Sequence, residues 1–198
     1  MFIDAIRGGL SVLDKIRRLF SGESKRENLV GNAPHSFEKS QDEVFHSWLE
    51  QSKCFKEDQY EVVLRHLNSE IDLNKLGTKL TVEQKRELGF NTRVAITDAL
   101  VNVLSEKGLA VSNPKDELAK IYYRGTFEYR RLEDIQELIR LDVEEVTYQV
   151  AGDERDCIWC KANNGLKFRV SDEINEIIKT NCTCDWNRSF LAAVINFD

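Results

Sequence analysis

Histidine is nearly absent from this chain: three occur in 198 residues, His35, His46 and His66, and none follows. That scarcity removes several chemistries at once. A nuclease of the His-metal type needs a catalytic histidine beside its metal-stabilised hairpin. A zinc deaminase needs a His-x-Glu or Cys-x-Glu segment ahead of its Cys-x-x-Cys, and a serine triad needs an imidazole to move the proton. None of these arrangements is present, nor is a Gly-rich phosphate loop. Long apolar runs are missing too. Nothing approaches the roughly 18 residues a membrane helix requires, and no hydrophobic signal run precedes a cleavage site at the start. The expectation is a cytoplasmic rather than secreted protein, at most associated with a membrane surface. Positive charge is in deficit, with 28 Lys and Arg against 34 Asp and Glu, a net charge of −6. That balance argues against nucleic acid as a partner, because non-specific affinity for phosphates comes from clustered cations. No internal repeat or low-complexity tract occurs.

Cysteine is what the chain does have, and its placement is informative. Cys157-x-x-Cys160 and Cys182-x-Cys184 form two close pairs with 21 residues between them. In a reducing compartment such pairs suit a tetrahedral Zn²⁺, about 2.3 Å from each sulfur, better than disulfides. A catalytic zinc keeps a position open for water, whereas four thiolates close the shell. The spacing therefore predicts a structural zinc held by Cys157, Cys160, Cys182 and Cys184. It would supply folding energy to a module too small to rely on burial alone. The fifth cysteine, Cys54, lies in a helical pattern and reads as a small buried hydrophobe.

Periodicity predicts an α+β fold whose mainly helical N-terminal two-thirds precede a small β-rich zinc module with four cysteine ligands. Residues 1–40 read as an amphipathic arm and polar linker. Phe2, Ile6, Leu10, Leu13, Ile16 and Phe20 recur at helical spacing and Gly22, Gly31 and Pro34 follow in a polar stretch. Such a basic amphipathic helix serves a partner protein, its own domain or a membrane surface. Residues 41–141 read as a helical domain. It has stripes at Val44, Phe45, Trp48 and Leu49 and at Tyr60, Val63, Leu64, Leu67 and Ile71, then a Thr81–Gln84 capping box and a helix through Ile96, Leu100, Val101 and Leu104 that stops at Gly108. Asn113-Pro114 then opens a long helix to about Leu141, with Leu118, Ile121, Tyr122, Tyr129, Leu132, Ile135 and Ile139 inward.

Residues 142–198 read as the zinc-binding β module. Val146, Tyr148 and Val150 alternate as a strand, Asn164-Gly165 marks a hairpin turn, and Leu166, Phe168 and Val170 return. Ser171 is placed to cap a short helix, and residues 190–197 read as a buried strand.

The run from Val146 through Asp153, Arg155, Cys157 and Cys160 to Gly165, Phe168, Cys182 and Cys184 resembles the C-terminal region of phage Mu F-like minor head proteins. The resemblance covers about residues 115 to 185. Thr180-Asn181 stand where that family has His-Pro, and Thr183 where it has Arg. It implies a structural, non-enzymatic component of phage head morphogenesis, virion-associated, with portal or capsid proteins as partners. Asp153 and Arg155, with Phe2, Ile6, Leu13 and Phe20 of the arm, would then be candidate partner contacts. On a shared strand face Asp153 and Arg155 also suit a simple ion pair.

Two other functional classes are open. Asp153, Glu154 and Asp156, three carboxylates beside Cys157, are the candidates for acid–base work in a nuclease-type enzyme or toxin domain. Residues 81–104 loosely suggest a helix-turn-helix of a nucleic-acid-binding regulator, with Thr92, Arg93 and Thr97 near the start of its second helix.

Overall fold

The computed structural model describes residues 39–194. The first 38 residues, and with them the amphipathic helix carrying Phe2, Ile6, Leu13 and Phe20, lie outside the described residues. Helix α1 (Gln41–Ser52) begins with a reciprocal capping box between Ser40 and Glu43 and sends Val44, Phe45 and Leu49 inward. A 3₁₀ turn (Glu57–Gln59) leads into α2 (Tyr60–Leu67), which buries Tyr60, Val63 and Leu67. The Thr81–Gln84 capping box forms and opens α3 (Val82–Glu87).

The segment after α3 departs from expectation. The single helix predicted to stop at Gly108 is two short ones, α4 (Asp98–Asn102) and α5 (Glu106–Leu109), and Gly108 lies inside the second. Ser105 accepts the Gly108 N–H and so starts a new helix. Gly108 also lets the Cys54 carbonyl approach where any Cβ would overlap it.

Asn113 caps and Pro114 opens α6 (Pro114–Arg140), the longest described element. Leu118, Ile121, Leu132 and Ile135 are buried as predicted, whereas Tyr122 and Ile139 are exposed. In their place the helix buries Gly125, Glu128 and Arg131. Glu128 and Arg131 interrupt an otherwise apolar stripe.

Strand β1 (Glu145–Gln149) is followed by α7 (Ile158–Asn163), β2 (Lys167–Arg169), α8 (Glu173–Asn181) and β3 (Phe190–Ala193). The three strands form an antiparallel sheet in the order β2-β1-β3, with Val146 opposite Phe168 and Tyr148 opposite Leu191. The β1–β2 connection is not a two-residue turn, because α7 fills it. Gly165, at φ +79°, turns the chain out of α7, and its N–H donates to the Tyr148 carbonyl at 2.8 Å. Ser171 does not cap α8; its hydroxyl is buried without a partner, and Asp172 stands at the N-cap. The last strand, Phe190–Ala193, lies at the sheet edge with Phe190 54% exposed, and residues 195–197 of the expected strand lie outside the described residues.

The chain is therefore α+β, with two apolar cores that share one helix. Phe45, Leu49, Val63 and Leu100 belong to the first, with Cys54 among them. Val146, Tyr148, Phe168, Ile174 and Ile178 build the second. Helix α6 contributes Leu118 and Ile121 to the first and Ile135 to the second. Its charged middle falls between them. No helix among the described residues is long and apolar enough to cross a membrane.

Candidate metal centre

The four cysteines predicted to share an ion converge, their sulfurs all within 4.8 Å of one another. Each arrives from an element end. Cys157 is the N-cap of α7 and Cys160 lies in its first turn; Cys182 is the C-cap of α8 and Cys184 follows two residues later. A metal–sulfur bond of about 2.3 Å in a tetrahedron requires sulfurs about 3.8 Å apart. Cys160 Sγ lies 3.5 Å from Cys182 Sγ and 3.8 Å from Cys184 Sγ. The donor set therefore fits a single thiophilic ion, and among the described residues no histidine or carboxylate belongs to the group.

The surroundings are built for sulfur bearing negative charge. Backbone N–H groups of Cys157 and Thr183 donate to Cys184 Sγ (3.2 Å) and Cys157 Sγ (3.4 Å). Asn187 Nδ2 lies 3.4 Å from Cys160 Sγ and 3.3 Å from Cys182 Sγ, and the Tyr148 hydroxyl is 3.2 Å from Cys160 Sγ. Such outer contacts orient ligands and tune affinity. In the protein alone, its hydrogen bond with Cys160 holds the Cys182 thiol down at about 5. Burial pushes Cys184 up to about 11, and the partnership with Cys182, reinforced by burial, raises Cys160. Phe168 shares the core cluster of Cys160. It packs edge-on against Tyr148, ring centres 6.0 Å apart, and thereby backs the phenol that meets Cys160.

Asp153 and Arg155 do not lie on a strand. Gly152, at φ +78°, turns the chain after β1, and the Asp156 carboxylate accepts the N–H groups of Gly152 and Asp153, at 2.6 and 3.2 Å. The ion pair between Asp153 and Arg155 exists at 3.6 Å but is loose and exposed. Asp153 instead takes a two-pronged grip from Arg188, which holds its carboxyl well below the usual range. Arg188 also reaches Asp156, a buried carboxylate, at 3.4 Å. Held this way, the Asp153 carboxylate is an anchor, whereas a general acid needs a pKa raised toward neutrality.

The helix-turn-helix arrangement does not form. Arg93 and Thr92 lie in a turn, α4 has five residues, and Thr97 is wholly buried with its hydroxyl donating to the Leu73 carbonyl at 2.5 Å. Lys85 points inward to the carbonyls of Thr92 and Val94.

Sequence reasoning missed Tyr148, Asn187 and Arg188 as supports of the site, and Glu128 with Arg131 beneath it. The last two carried a legible signal, being charged residues within the apolar stripe of α6. Asn187 and Arg188 carried none beyond their position just after Cys184. No protein-family model, curated protein or solved structure matches the chain.

Proposed function

We propose that this chain is a non-catalytic assembly protein similar to Mu F-like minor head components, in which Cys157, Cys160, Cys182 and Cys184 hold a structural Zn²⁺ and shape a protein-docking surface. The observation that carries the reading is the closed shell. Four sulfurs suffice to fill the four positions of a tetrahedral ion, and amide groups and the Tyr148 hydroxyl stand against them, an arrangement that would leave a bound ion no position for a reacting water. Zinc suits a four-thiolate shell and, having no redox chemistry, serves as a fixed strut. The positions shared with the head proteins have physical work here. Asp153 anchors the approach to Cys157 through Arg188, Gly165 supplies a positive φ after α7, and Phe168 supports Tyr148. Ile158, 89% exposed between the first two ligands, is an apolar side chain that the metal loop holds outward.

The test is co-expression of the full chain with portal and capsid proteins encoded in the same genome. One zinc per purified chain, and co-purification with the portal that is lost on chelation and on Ile158→Asp, is the expected result. A chain without metal, or one whose association ignores both changes, would remove the proposal.

A further inference from the structure

Between α1, α6, α8 and the thiol loop lies a cleft of about 220 Å³, and the polar groups on its walls form one continuous chain. Asn187 Nδ2, which faces the sulfurs, also donates to the Tyr148 hydroxyl at 3.0 Å, and its Oδ1 accepts from Arg131 at 3.0 Å. Arg131 Nε donates to Asn175 Oδ1 at 3.0 Å, and Asn175 Nδ2 donates to Glu128 Oε1 at 3.2 Å. The other Glu128 oxygen accepts the indole N–H of Trp48 at 2.7 Å. Both amides are locked in orientation, since turning either one over would aim an NH₂ group at a guanidinium. The run thus connects the metal ligands to the first described helix through side chains alone. Glu128, Arg131 and Asn175 are all at most 5% exposed.

Charge gives the run a reason to respond to metal. Among the described residues three cations line the cleft, Arg124, Arg131 and Lys179, with one carboxylate, Glu128. Arg124 and Lys179 each stand 5.0 Å from the centre of the Trp48 ring, and Lys179 also pairs with Glu128 at 3.1 Å. A divalent ion in four thiolates carries two net negative charges, and two of those sulfurs, Cys182 and Cys184, stand on the wall of the same cleft. Those two charges offset the excess of cations over Glu128 in the cleft, and a bound ion fixes the position of the sulfurs that bear them; a buried cation short of a counter-charge is costly.

We infer that Asn187 is a positioning residue through which metal loading fastens Trp48, and with it helix α1, to the metal-bearing half of the molecule. This rests on the metal reading above. Because coupling between sites is reciprocal, loosening Trp48 must also weaken metal binding.

The experiment follows the indole N–H of Trp48 by NMR in the full chain, its signal assigned with Trp48→Phe, with Zn²⁺ bound and after chelation. Exchange with solvent should quicken at least tenfold on metal removal. Asn187→Asp keeps an acceptor for Arg131 but has no donor for sulfur. With one ion still bound it should show the fast exchange, while Zn²⁺ affinity falls on the order of 10- to 100-fold, as for other outer-shell changes. Trp48→Phe, which alters no ligand, should lower Zn²⁺ affinity at least threefold in competition with a chelator, a measurement that stands even if the Asn187 variant does not fold. Unchanged affinity in Trp48→Phe, or undisturbed indole protection in metal-loaded Asn187→Asp, overturns the inference. A chain that binds no ion sinks the metal reading itself; one that binds an ion while Trp48 exchanges equally fast in both states sinks only the coupling.

Discussion

Arg188 grips Asp153 with both guanidinium NH groups, at 2.6 and 2.5 Å, and so ties the turn before the first cysteine pair to the segment after the second. The same guanidinium faces Asp156, whose carboxylate organises that turn through two backbone N–H groups. Arg188→Ala removes the cation from a buried carboxylate and should destabilise the fold by about 1–3 kcal/mol. Arg155→Ala touches only the exposed 3.6 Å pair and should leave the urea midpoint unchanged. Equal effects of the two substitutions would show that the latch has been assigned to the wrong arginine.

Metal binding should be coupled to proton release. A thiol whose folded pKa lies above its unfolded value favours the metal-free fold below that unfolded value and loses this contribution as pH rises through the folded pKa. Cys160 and Cys184 are raised in this way, so at neutral pH they carry protons that a metal must displace. At least two protons should leave per ion, and the logarithm of the affinity should rise about two units per pH unit near neutrality. Calorimetry in buffers of different ionisation enthalpy measures the number. A release near zero would contradict the thiol environment described above.

Gly125→Ala improves helix propensity by about 1 kcal/mol in isolation. In this fold a Cβ there would run into the Phe45 ring where α1 crosses α6. Overpacking should dominate, lowering stability by about 1–3 kcal/mol in thermal unfolding. A stabilised variant would mean that the two helices are not in contact at this point.

The fifth cysteine separates packing from ligation. Cys54 is 2% exposed, and its sulfur lies 3.9 Å from Glu117 Oε2, among core residues rather than with the other four. Cys54→Ala should retain one ion per chain, whereas Cys182→Ser should lose it, as read by elemental analysis after gel filtration. Metal retained in the second variant would exclude the four-sulfur shell.

Local chemistry was legible in advance. The Thr81–Gln84 box, the Asn113-Pro114 start of α6, the period-2 run around Tyr148 and the paired thiols all express rules that act within a few residues, and each formed. The misplacements share a different cause. Gly108 looked like a stop but accommodates a carbonyl from Cys54, distant in sequence. Ser171 looked like a cap but is buried without a partner. Tyr122 and Ile139 fit the apolar stripe of α6, yet no element of the described fold covers them fully.

By itself the sequence determined the α+β division, the grouping of the four thiols and the starts of α3 and α6, because spacing, capping and side-chain period are properties of a short stretch of chain. Only the tertiary structure decided that Asp153 answers to Arg188 rather than Arg155, and that Glu128 and Arg131 lie buried between two cores. It also decided that Asn187 faces both a sulfur pair and a guanidinium. Those partners stand 35, 47 and 56 residues apart in the chain, and electrostatic pairing across such separations depends on how helices and strands dock, which no local period records.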